Sequence, residues 1–202
     1  MSQLSLFEEV PDTWTSSDDW ETPKRIAVFL AGIAEGTEPS KVLELGAGTG
    51  NIAQFLPPGS FAVERNSERV KQGIVRAPHC QWHCSDAIDF AVQHPNQFDL
   101  IVGNPPFSLR LEWLKTICNR LLTPEGIVAW LLPTDSMQAK SSARLFKRWA
   151  VVKKTEIVGR IAYLKNGKPE SGRQLYDAIF HFQQRHSDEV PQKSEYSVVT
   201  FC

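Results

Sequence analysis

The chain has 202 residues, a length sufficient for one domain with a sizeable hydrophobic core. It is 42% hydrophobic and 22% charged, as in soluble globular proteins, and no apolar run approaches the roughly 20 residues that span a bilayer. Its 4 cysteines do not make a disulfide framework at this length, and residues 1–19 lack the basic and apolar parts of a secretory signal. We therefore expect a cytoplasmic protein.

The charge of the chain gives evidence both for and against nucleic-acid binding. A net charge of -1 does not favour a nucleic-acid binder, but residues 140–173 hold ten lysines and arginines against two glutamates. These cations either form solvated surfaces or contact a polyanion. The candidate substrate-contacting residues are Lys140, Arg144, Arg160, Lys165, Lys168 and Arg173.

Three regions are expected along the chain. Residues 1–19 are polar and acidic and are interpreted as a flexible lead-in. Thr22 and Pro23 predict a helix start, with threonine as N-cap and proline at the first helical position. An amphipathic apolar face follows from residue 26 to residue 33. We assign residues 20–185 to the main domain and residues 186–202 to a tail with a possible edge strand at Tyr196–Phe201.

From residue 41 onward, short apolar runs alternate with longer amphipathic stretches, which predicts a mostly parallel sheet with helices on both faces. The predicted strands are Val42–Leu45, Ser60–Glu64, Cys80–Cys84, Asp99–Val102, Ile127–Leu132, Glu156–Val158 and Tyr176–Phe182. The predicted helices are Asn51–Phe55, Ser67–Arg76, Ala87–His94, Leu109–Leu122 and Ala139–Trp149. The polar segment Gly159–Gln174 shows no convincing helix, which suggests an antiparallel strand pair joined by a long loop.

A glycine-rich loop follows the first predicted strand, at Gly46, Gly48 and Gly50. Glycines let the backbone turn tightly and approach a ligand, and the N-terminus of a following helix offers free N–H groups. The spacing is not that of the dinucleotide-binding fingerprint, and alone such a loop is a weak signal. Glu44, near the end of the strand, can meet an ammonium group or a bound water.

Two further acids end the next predicted strands. Glu64 lies 18 residues after Gly46, where a carboxylate can accept from both hydroxyls of a ribose, although it is also explained as a surface glutamate. Asp86 can accept from an adenine amino group, with Ala87 and Ile88 beside it to pack on the ring. Asp86 can equally be the N-cap of the next helix, and the two roles are compatible.

The segment Asn104-Pro105-Pro106-Phe107 follows the fourth predicted strand. Its two rigid prolines lie between an amide and an aromatic ring, which suits holding a planar amine and stacking on its ring. Alone, the segment can also be a simple exit from a strand.

Together these motifs resemble those of class I S-adenosylmethionine-dependent methyltransferases. Leu43–Gly50 looks like their first motif, Glu64 like the ribose-binding acid, and Ser85–Ala87 like the adenine-binding motif. Asn104–Phe107 looks like the (D/N/S)-P-P-(Y/F) motif of the amino-methylating branch, and Trp20–Pro23 is similar to the segment that precedes the first motif in gamma-type adenine-N6 enzymes. The resemblance covers about residues 20–182.

The resemblance implies a Rossmann-like α/β fold with a seven-stranded, mostly parallel sheet and an antiparallel C-terminal strand pair. It implies S-adenosyl-L-methionine as cofactor and nucleic acid as partner. The residues implied to bind the cofactor are Thr22, Pro23, Glu44, Gly46, Ala47, Gly48, Gly50, Glu64, Arg65, Asp86, Ala87 and Asn104. The residues implied in catalysis are Asn104, Pro105, Pro106 and Phe107.

An adenine amino group is a poor nucleophile because its lone pair is delocalised into the ring. The Asn104 side-chain oxygen and the Pro105 carbonyl can accept its two N–H bonds, which frees the lone pair for attack on a sulfonium methyl group. Phe107 can stack on the base. Alignment and electrostatic complementarity then supply much of the rate, and a base in a duplex must first be flipped out.

We expect methylation of adenine N6 in DNA, with RNA as a serious alternative because the chain has no room for a separate target-recognition domain. A separate recognition subunit is possible. Phe107 in place of tyrosine argues against glutamine methylation in proteins, and the intact motifs argue against a catalytically silent binding subunit.

The segment His79–Cys84 contains four potential zinc ligands in six residues. On a strand its two cysteines share one face and its two histidines the other, so they do not converge on one ion. We predict no metal and expect cysteines packed in a core strand.

Overall fold

The computed structural model describes residues 20–138, 140–165, 167–169, 176–185 and 194–201. The lead-in 1–19 and Arg173 lie outside these residues. Five helices are described: α1 Lys24–Gly32, α2 Ser67–Arg76, α3 Ala87–Gln93, α4 Arg110–Trp113 and α5 Asn119–Leu121, the last two joined by the π-helical turn Leu114–Cys118. Short 3₁₀ helices cover Pro39–Lys41, Ala53–Phe55 and Lys140–Lys147.

The strands are β1 Val42–Leu45, β2 Phe61–Glu64, β3 Gln81–Cys84, β4 Phe98–Gly103, β5 Leu122–Pro133, β6 Trp149–Val158, β7 Leu164–Lys165, β8 Lys168–Pro169, β9 Asp177–Gln184 and β10 Glu195–Thr200. Eight of them form one sheet in the order β10-β6-β9-β5-β4-β1-β2-β3, and β7 and β8 form a separate two-stranded ribbon. Within the described sheet, β9 alone is antiparallel to its neighbours, β5 and β6.

The α/β fold with antiparallel C-terminal strands is therefore confirmed, but the predicted count of seven strands is wrong. The eighth strand, β10, corresponds to the possible edge strand at Tyr196–Phe201, and it pairs in parallel with β6 at the sheet edge. The antiparallel pair suggested around Gly159–Gln174 is formed by β6 and β9, and the connection between them also holds the ribbon of β7 and β8, which was not predicted. Which strands pair is a tertiary property that short apolar patterns do not report.

Both faces of the sheet are covered, as their apolar side chains require. One buried cluster joins the sheet to α3, α4 and α5 and includes Phe90, Leu114 and Trp130. The other joins the opposite face to α1 and includes Leu30 and Leu131. This two-sided burial explains why β1 and β4 are almost continuously apolar. In the described residues, no helix has the length and apolarity needed to cross a membrane.

Several element ends differ from the prediction. Pro23 occupies the N-cap position of α1 because its ψ of 149° is extended, so the helix begins at Lys24. The predicted helix Asn51–Phe55 shortens to the 3₁₀ turn Ala53–Phe55, and the helix predicted from residue 139 is a 3₁₀ helix over Lys140–Lys147. Such differences are expected at ends where intrahelical hydrogen bonds run out.

Candidate active site

A cavity of about 440 Å³ lies at the carboxyl ends of β1, β2, β3 and β4. In open α/β sheets ligands bind at this edge, and the volume is within the range of roughly 300–1,000 Å³ typical of small-molecule sites. The lining residues come from the glycine loop, from the ends of β1 to β4, from the segment before α1, and from helical residues in α2 and around α4. They are Trp20, Glu21, Thr22, Glu44, Gly46, Ala47, Gly48, Thr49, Asn51, Ile52, Val63, Glu64, Arg65, Asn66, Arg69, Ser85, Asp86, Ala87, Ile88, Asn104, Pro106, Leu109, Trp113 and Ile117.

The glycine loop brings main chain directly to the cavity. The amides of Gly46 and Ala47 both donate to the Val63 carbonyl at 2.9 Å, which ties the loop to the end of β2. Gly48 has a φ of +56°, and a Cβ added to it would point into open space with no atom within 4 Å. A side chain at this position would therefore both strain the backbone and fill the cavity.

The Glu64 carboxylate is fixed by the backbone. Its Oε2 accepts from the Gly48 amide at 3.0 Å, and its Oε1 accepts from the Asn66 amide at 2.9 Å. Each carboxylate oxygen has capacity for a further hydrogen bond, and Glu64 lines the cavity. Glu64 is buried, so it is not the ordinary surface glutamate that the sequence left open.

Asp86 lies at the same edge and caps a helix. Its Oδ1 accepts from the Ile88 amide at 2.8 Å, which makes it the N-cap of α3. Asp86 also lines the cavity together with Ala87 and Ile88, so the structure places the carboxylate where both predicted roles are available.

Glu44 is a buried carboxyl group in the cavity wall. Burial raises the pKa of Glu44 well above its ordinary value, against a hydrogen bond from the Ala53 amide that lowers it, and the nearby Glu64 charge raises it further. The Oε2 atom of Glu44 has no hydrogen-bond partner among the described residues. A buried acceptor without a partner indicates a site where a ligand donor or an ordered water belongs.

Asn104 follows β4. Glu44 of β1 pairs with Val102 of β4, which lies two residues before Asn104. Its Nδ2 donates to the Trp20 carbonyl at 3.3 Å. Its Oδ1 is buried and has no hydrogen-bond partner within the described part of the chain. The hydrogen bond to Trp20 sets the amide orientation, so the polar atom of Asn104 that lacks a partner is its oxygen, an acceptor.

Residues 20–22, the mouth segment, close one side of the cavity. Glu21 forms two backbone hydrogen bonds with Leu164 of β7, at 2.9 and 3.0 Å. The Glu21 carboxylate also accepts from Asn51 Nδ2 at 3.3 Å, next to the glycine loop. Thr22 is buried in the cavity wall. The mouth segment thus connects the glycine loop to the ribbon of β7 and β8.

Comparison with known proteins gives both a fold and a set of relatives. The chain superimposes on a putative RNA methyltransferase from Pyrococcus horikoshii with a TM-score of 0.60 and 17% identity, covering 85% of this chain and 90% of the other. It is 31% identical over 135 residues to a tRNA1(Val) (adenine(37)-N6)-methyltransferase of Aeromonas hydrophila, which covers 53% of this chain. No protein-family model matches the chain.

The chain has the fold of class I methyltransferases, and its sequence is similar to those of adenine-N6 enzymes. A Proteus mirabilis enzyme named for the same tRNA position is 25% identical over 194 residues, covering 81% of this chain and 73% of the relative. The chain spans only 57% of the length of the Aeromonas relative.

The cavity brings together most of the predicted cofactor residues. Those that line it are Thr22, Glu44, Gly46, Ala47, Gly48, Glu64, Arg65, Asp86, Ala87 and Asn104. Pro23 and Gly50 do not line it. Gly50 has a φ of +84° and lies against Trp82, so its contribution to the loop is the turn itself.

The segment that follows β4 is divided between the cavity and the core. Pro106 lines the cavity beside Asn104. Pro105 is buried outside the lining, and the half-buried Phe107 ring packs against the core on the α4 side of the sheet. The stacking role of Phe107 therefore remains a prediction.

Of the predicted substrate cations, the five that the structure describes do not line the cavity. Lys140 and Arg144 belong to the 3₁₀ helix after β5. Arg160, Lys165 and Lys168 are exposed after β6 and on the ribbon. Lys165 Nζ lies 6.0 Å from the centre of the ring of Trp20, a lining residue.

Several lining residues of the cavity were not predicted from the sequence. Trp113 was assigned to the core alone, but it lines the cavity, and its ring lies 3.3 Å from a Cβ built on Gly46. Asn51 and Arg69 were not predicted to belong to the site at all. Helical periodicity identifies a buried face, but it does not show that one residue of that face meets a loop nearly 70 residues earlier.

The segment His79–Cys84 contains β3, the strand at one edge of the sheet. Cys80 is buried, and burial raises the pKa of its thiol to about 12. His83 instead stacks on Phe61 with ring centres 5.3 Å apart. Cys84 is exposed, which corrects the expectation that both cysteines pack in the core. Within the described ranges, no three His, Cys, Asp or Glu side chains are grouped as a metal site would require.

Proposed function

We propose that the chain is an S-adenosylmethionine-dependent methyltransferase that modifies the N6 amino group of adenine in RNA. The observation that carries the proposal is the buried Oδ1 of Asn104, which has no hydrogen-bond partner among the described residues and lies in a cavity wall. The nitrogen of the same side chain, Nδ2, donates to the Trp20 carbonyl, so Oδ1 remains to accept from a ligand donor. An exocyclic amine is such a donor.

The residues of the cavity fit the cofactor. Two acceptors lack partners in the described structure, Glu44 Oε2 and Asn104 Oδ1, and an ammonium group and an amine are their natural complements. Glu64 would accept from ribose hydroxyls, and Asp86 from an adenine amino group. When bound, the cofactor supplies an electrophilic methyl group on a positively charged sulfur. Gly48 leaves the space that this ligand needs.

The residues after β4 would activate the target amine. Asn104 Oδ1 would accept one N–H of the amino group, and the Pro105 carbonyl would accept the other. Both bonds draw the nitrogen toward tetrahedral geometry, so its lone pair becomes available, and the surplus proton can leave after transfer. The Trp20 carbonyl holds the Asn104 amide in place throughout, and most of the rate comes from this preorganisation.

RNA is favoured over DNA as the polymer. The curated relatives are named for adenine 37 of a tRNA, and the similarity to the Proteus relative covers 81% of this chain. The DNA expectation drawn from the sequence rested on the gamma-type motif order, which does not distinguish the two polymers. A target adenine that is already unpaired also avoids the energy of base flipping.

The test is incubation with S-adenosylmethionine carrying a labelled methyl group against separate pools of tRNA, DNA and protein, followed by nucleoside and amino-acid analysis. We expect label in N6-methyladenine from RNA. Label confined to N6-methyladenine in DNA would refute the choice of polymer. Label confined to glutamine in protein, or an absence of cofactor binding, would refute the proposed reaction.

A further inference from the structure

A surface of exposed cations and aromatic rings lies beside the cavity, and we refer to it as the cation–aromatic surface. Its residues are Trp20, Arg160, Lys165, Lys168 and Tyr176. Each ring has a cation near it: Lys165 Nζ is 6.0 Å from the Trp20 centroid, and Arg160 Cζ is 5.9 Å from the Tyr176 centroid. Tyr176 is 56% exposed, so its ring is accessible to a ligand.

Strand order places this surface on the same edge as Asn104. Tyr176 directly precedes β9, and its carbonyl accepts from the Thr134 amide just after the end of β5. Arg160 follows the carboxyl end of β6. Because the sheet runs β6-β9-β5-β4, Tyr176 begins a strand two positions from β4. At about 4.8 Å per strand, Tyr176 is roughly 10 Å along the edge from Asn104, which is a span of one or two nucleotides.

The mouth segment joins this surface to the cavity. Trp20 lines the cavity, and its carbonyl holds Asn104. Glu21, the next residue, pairs through its backbone with Leu164, and Lys165 follows directly. A nucleic-acid strand lying across the cation–aromatic surface would therefore reach Asn104 while remaining in contact with the protein.

The exposed charged residues of the cation–aromatic surface itself are positive. The acidic residues described near this edge are Glu21, whose carboxylate accepts from Asn51, Asp135, which is exposed after β5, and Asp177, which is buried at the start of β9. Against them stand three exposed cations, Arg160, Lys165 and Lys168. Aromatic rings flanked by cations recognise bases and phosphates together, as in proteins that bind single-stranded nucleic acid.

We propose that the cation–aromatic surface holds the nucleotides that flank the target adenine in an unpaired, single-stranded form. Tyr176 stacks on a flanking base, and Arg160, Lys165 and Lys168 contact its phosphates. A duplex keeps its bases stacked on one another and offers no base face to these rings. This inference rests on the proposed function, because that function gives the cavity an adenine to hold.

The test measures oligonucleotide binding directly, so it does not depend on catalysis. Fluorescence anisotropy compares an RNA hairpin with an adenine-containing loop, the same loop as single-stranded DNA, and a fully paired duplex. Tyr176→Ala should weaken binding of the loop by about 5- to 100-fold, while Tyr176→Phe should keep near-wild-type affinity because it preserves the ring. Arg160→Ala should reduce the slope of log affinity against log salt by about 0.7.

Two matched controls lie elsewhere on the molecule. Tyr196 is 62% exposed on the edge strand β10, and Arg148 is exposed just before β6, at the opposite edge of the sheet. Tyr196→Ala and Arg148→Ala should leave loop affinity and its salt slope unchanged. Cofactor affinity, measured by calorimetry, should stay at the wild-type value in all five variants and so reports intact folding.

The outcomes separate this inference from the proposed function. Binding that depends on Tyr176 and Arg160 without any methyl transfer supports the surface and refutes the reaction. Methyl transfer with loop affinity that is equal in Tyr176→Ala and wild type overturns the inference and leaves the reaction intact. Equal affinity for the loop and the duplex also overturns it. A preference between the RNA loop and the DNA loop identifies the polymer.

Discussion

Replacing Asn104 with alanine removes the one side-chain atom that the proposed mechanism requires at the target amine. The substitution deletes Oδ1, which is buried and lacks a partner in the described structure, and it also frees the Trp20 carbonyl from its hydrogen bond at 3.3 Å. The cavity is otherwise retained, because Asn104 is only one of 24 lining residues. We therefore expect chemistry to be lost and cofactor binding to persist.

The expected magnitude follows from comparable preorganised hydrogen bonds. Removing one such group at a developing charge lowers the rate about 100- to 1,000-fold, or roughly 3–4 kcal/mol of transition-state stabilisation. Cofactor affinity should change by no more than a few fold. Single-turnover methyl transfer to the most active RNA pool measures the first quantity, and calorimetric titration with S-adenosylmethionine measures the second.

Two comparison variants sharpen the experiment. Asn104→Asp keeps an acceptor at Oδ1 but places a second oxygen toward the Trp20 carbonyl, so we expect a loss of only about tenfold. Asn119→Ala changes an asparagine of α5, which lies outside the cavity lining, and should have wild-type activity. Near-wild-type turnover of Asn104→Ala on every active substrate would refute the catalytic assignment.

Three further predictions follow from the structure. Gly48→Val should abolish cofactor binding in calorimetry because its side chain enters the cavity, whereas Gly36→Val, which carries similar left-handed strain at φ +83° with open space around it, should bind normally. Equal affinities would contradict the assigned cofactor position. Gly73→Ala places a Cβ 2.1 Å from the Trp82 ring and should lower the free energy of unfolding by about 1–2 kcal/mol, whereas Gly32→Ala, with nothing within 4 Å, should raise it by about 0.5 kcal/mol in urea titrations. His181 has its pKa lowered to about 4 by burial and then by Lys153, so its stabilising contribution is complete above pH 6.5 and is lost as the pH falls toward 4. Wild type should therefore lose about 2 kcal/mol more than His181→Gln between pH 7.5 and pH 5, and parallel stability curves for the two proteins would show that His181 does not titrate in this way.

Local patterns in the chain were sufficient to predict the elements that carry the site. The strand Val42–Leu45 and the helix Ser67–Arg76 have the predicted bounds because an apolar run before glycines and an amphipathic stretch can each be recognised within a few residues. The structure adds that Asn66 caps this helix by accepting from two backbone amides. Asn104 was also predicted locally, as an amide next to two prolines at the end of an apolar strand.

Tertiary structure alone decided how these pieces meet. The hydrogen bond between Asn104 and Trp20 joins residues 84 positions apart, and no periodic pattern encodes such a contact. Trp113 reads as a core residue because its helical face is buried, and only the packing of α4 against the glycine loop brings it to the cavity.

By itself the sequence determined that a glycine loop, a row of strand-end acids and the Asn104–Phe107 segment are present, because each depends on neighbours a few residues away. The structure decided that β4 lies beside β1, that residues 20–22 close the cavity, and that Tyr176 and Arg160 lie along the same edge. Strand order and side-chain packing depend on contacts between residues far apart in the chain. Bringing such residues together costs loop-closure entropy, and only burial of the complete core offsets that cost.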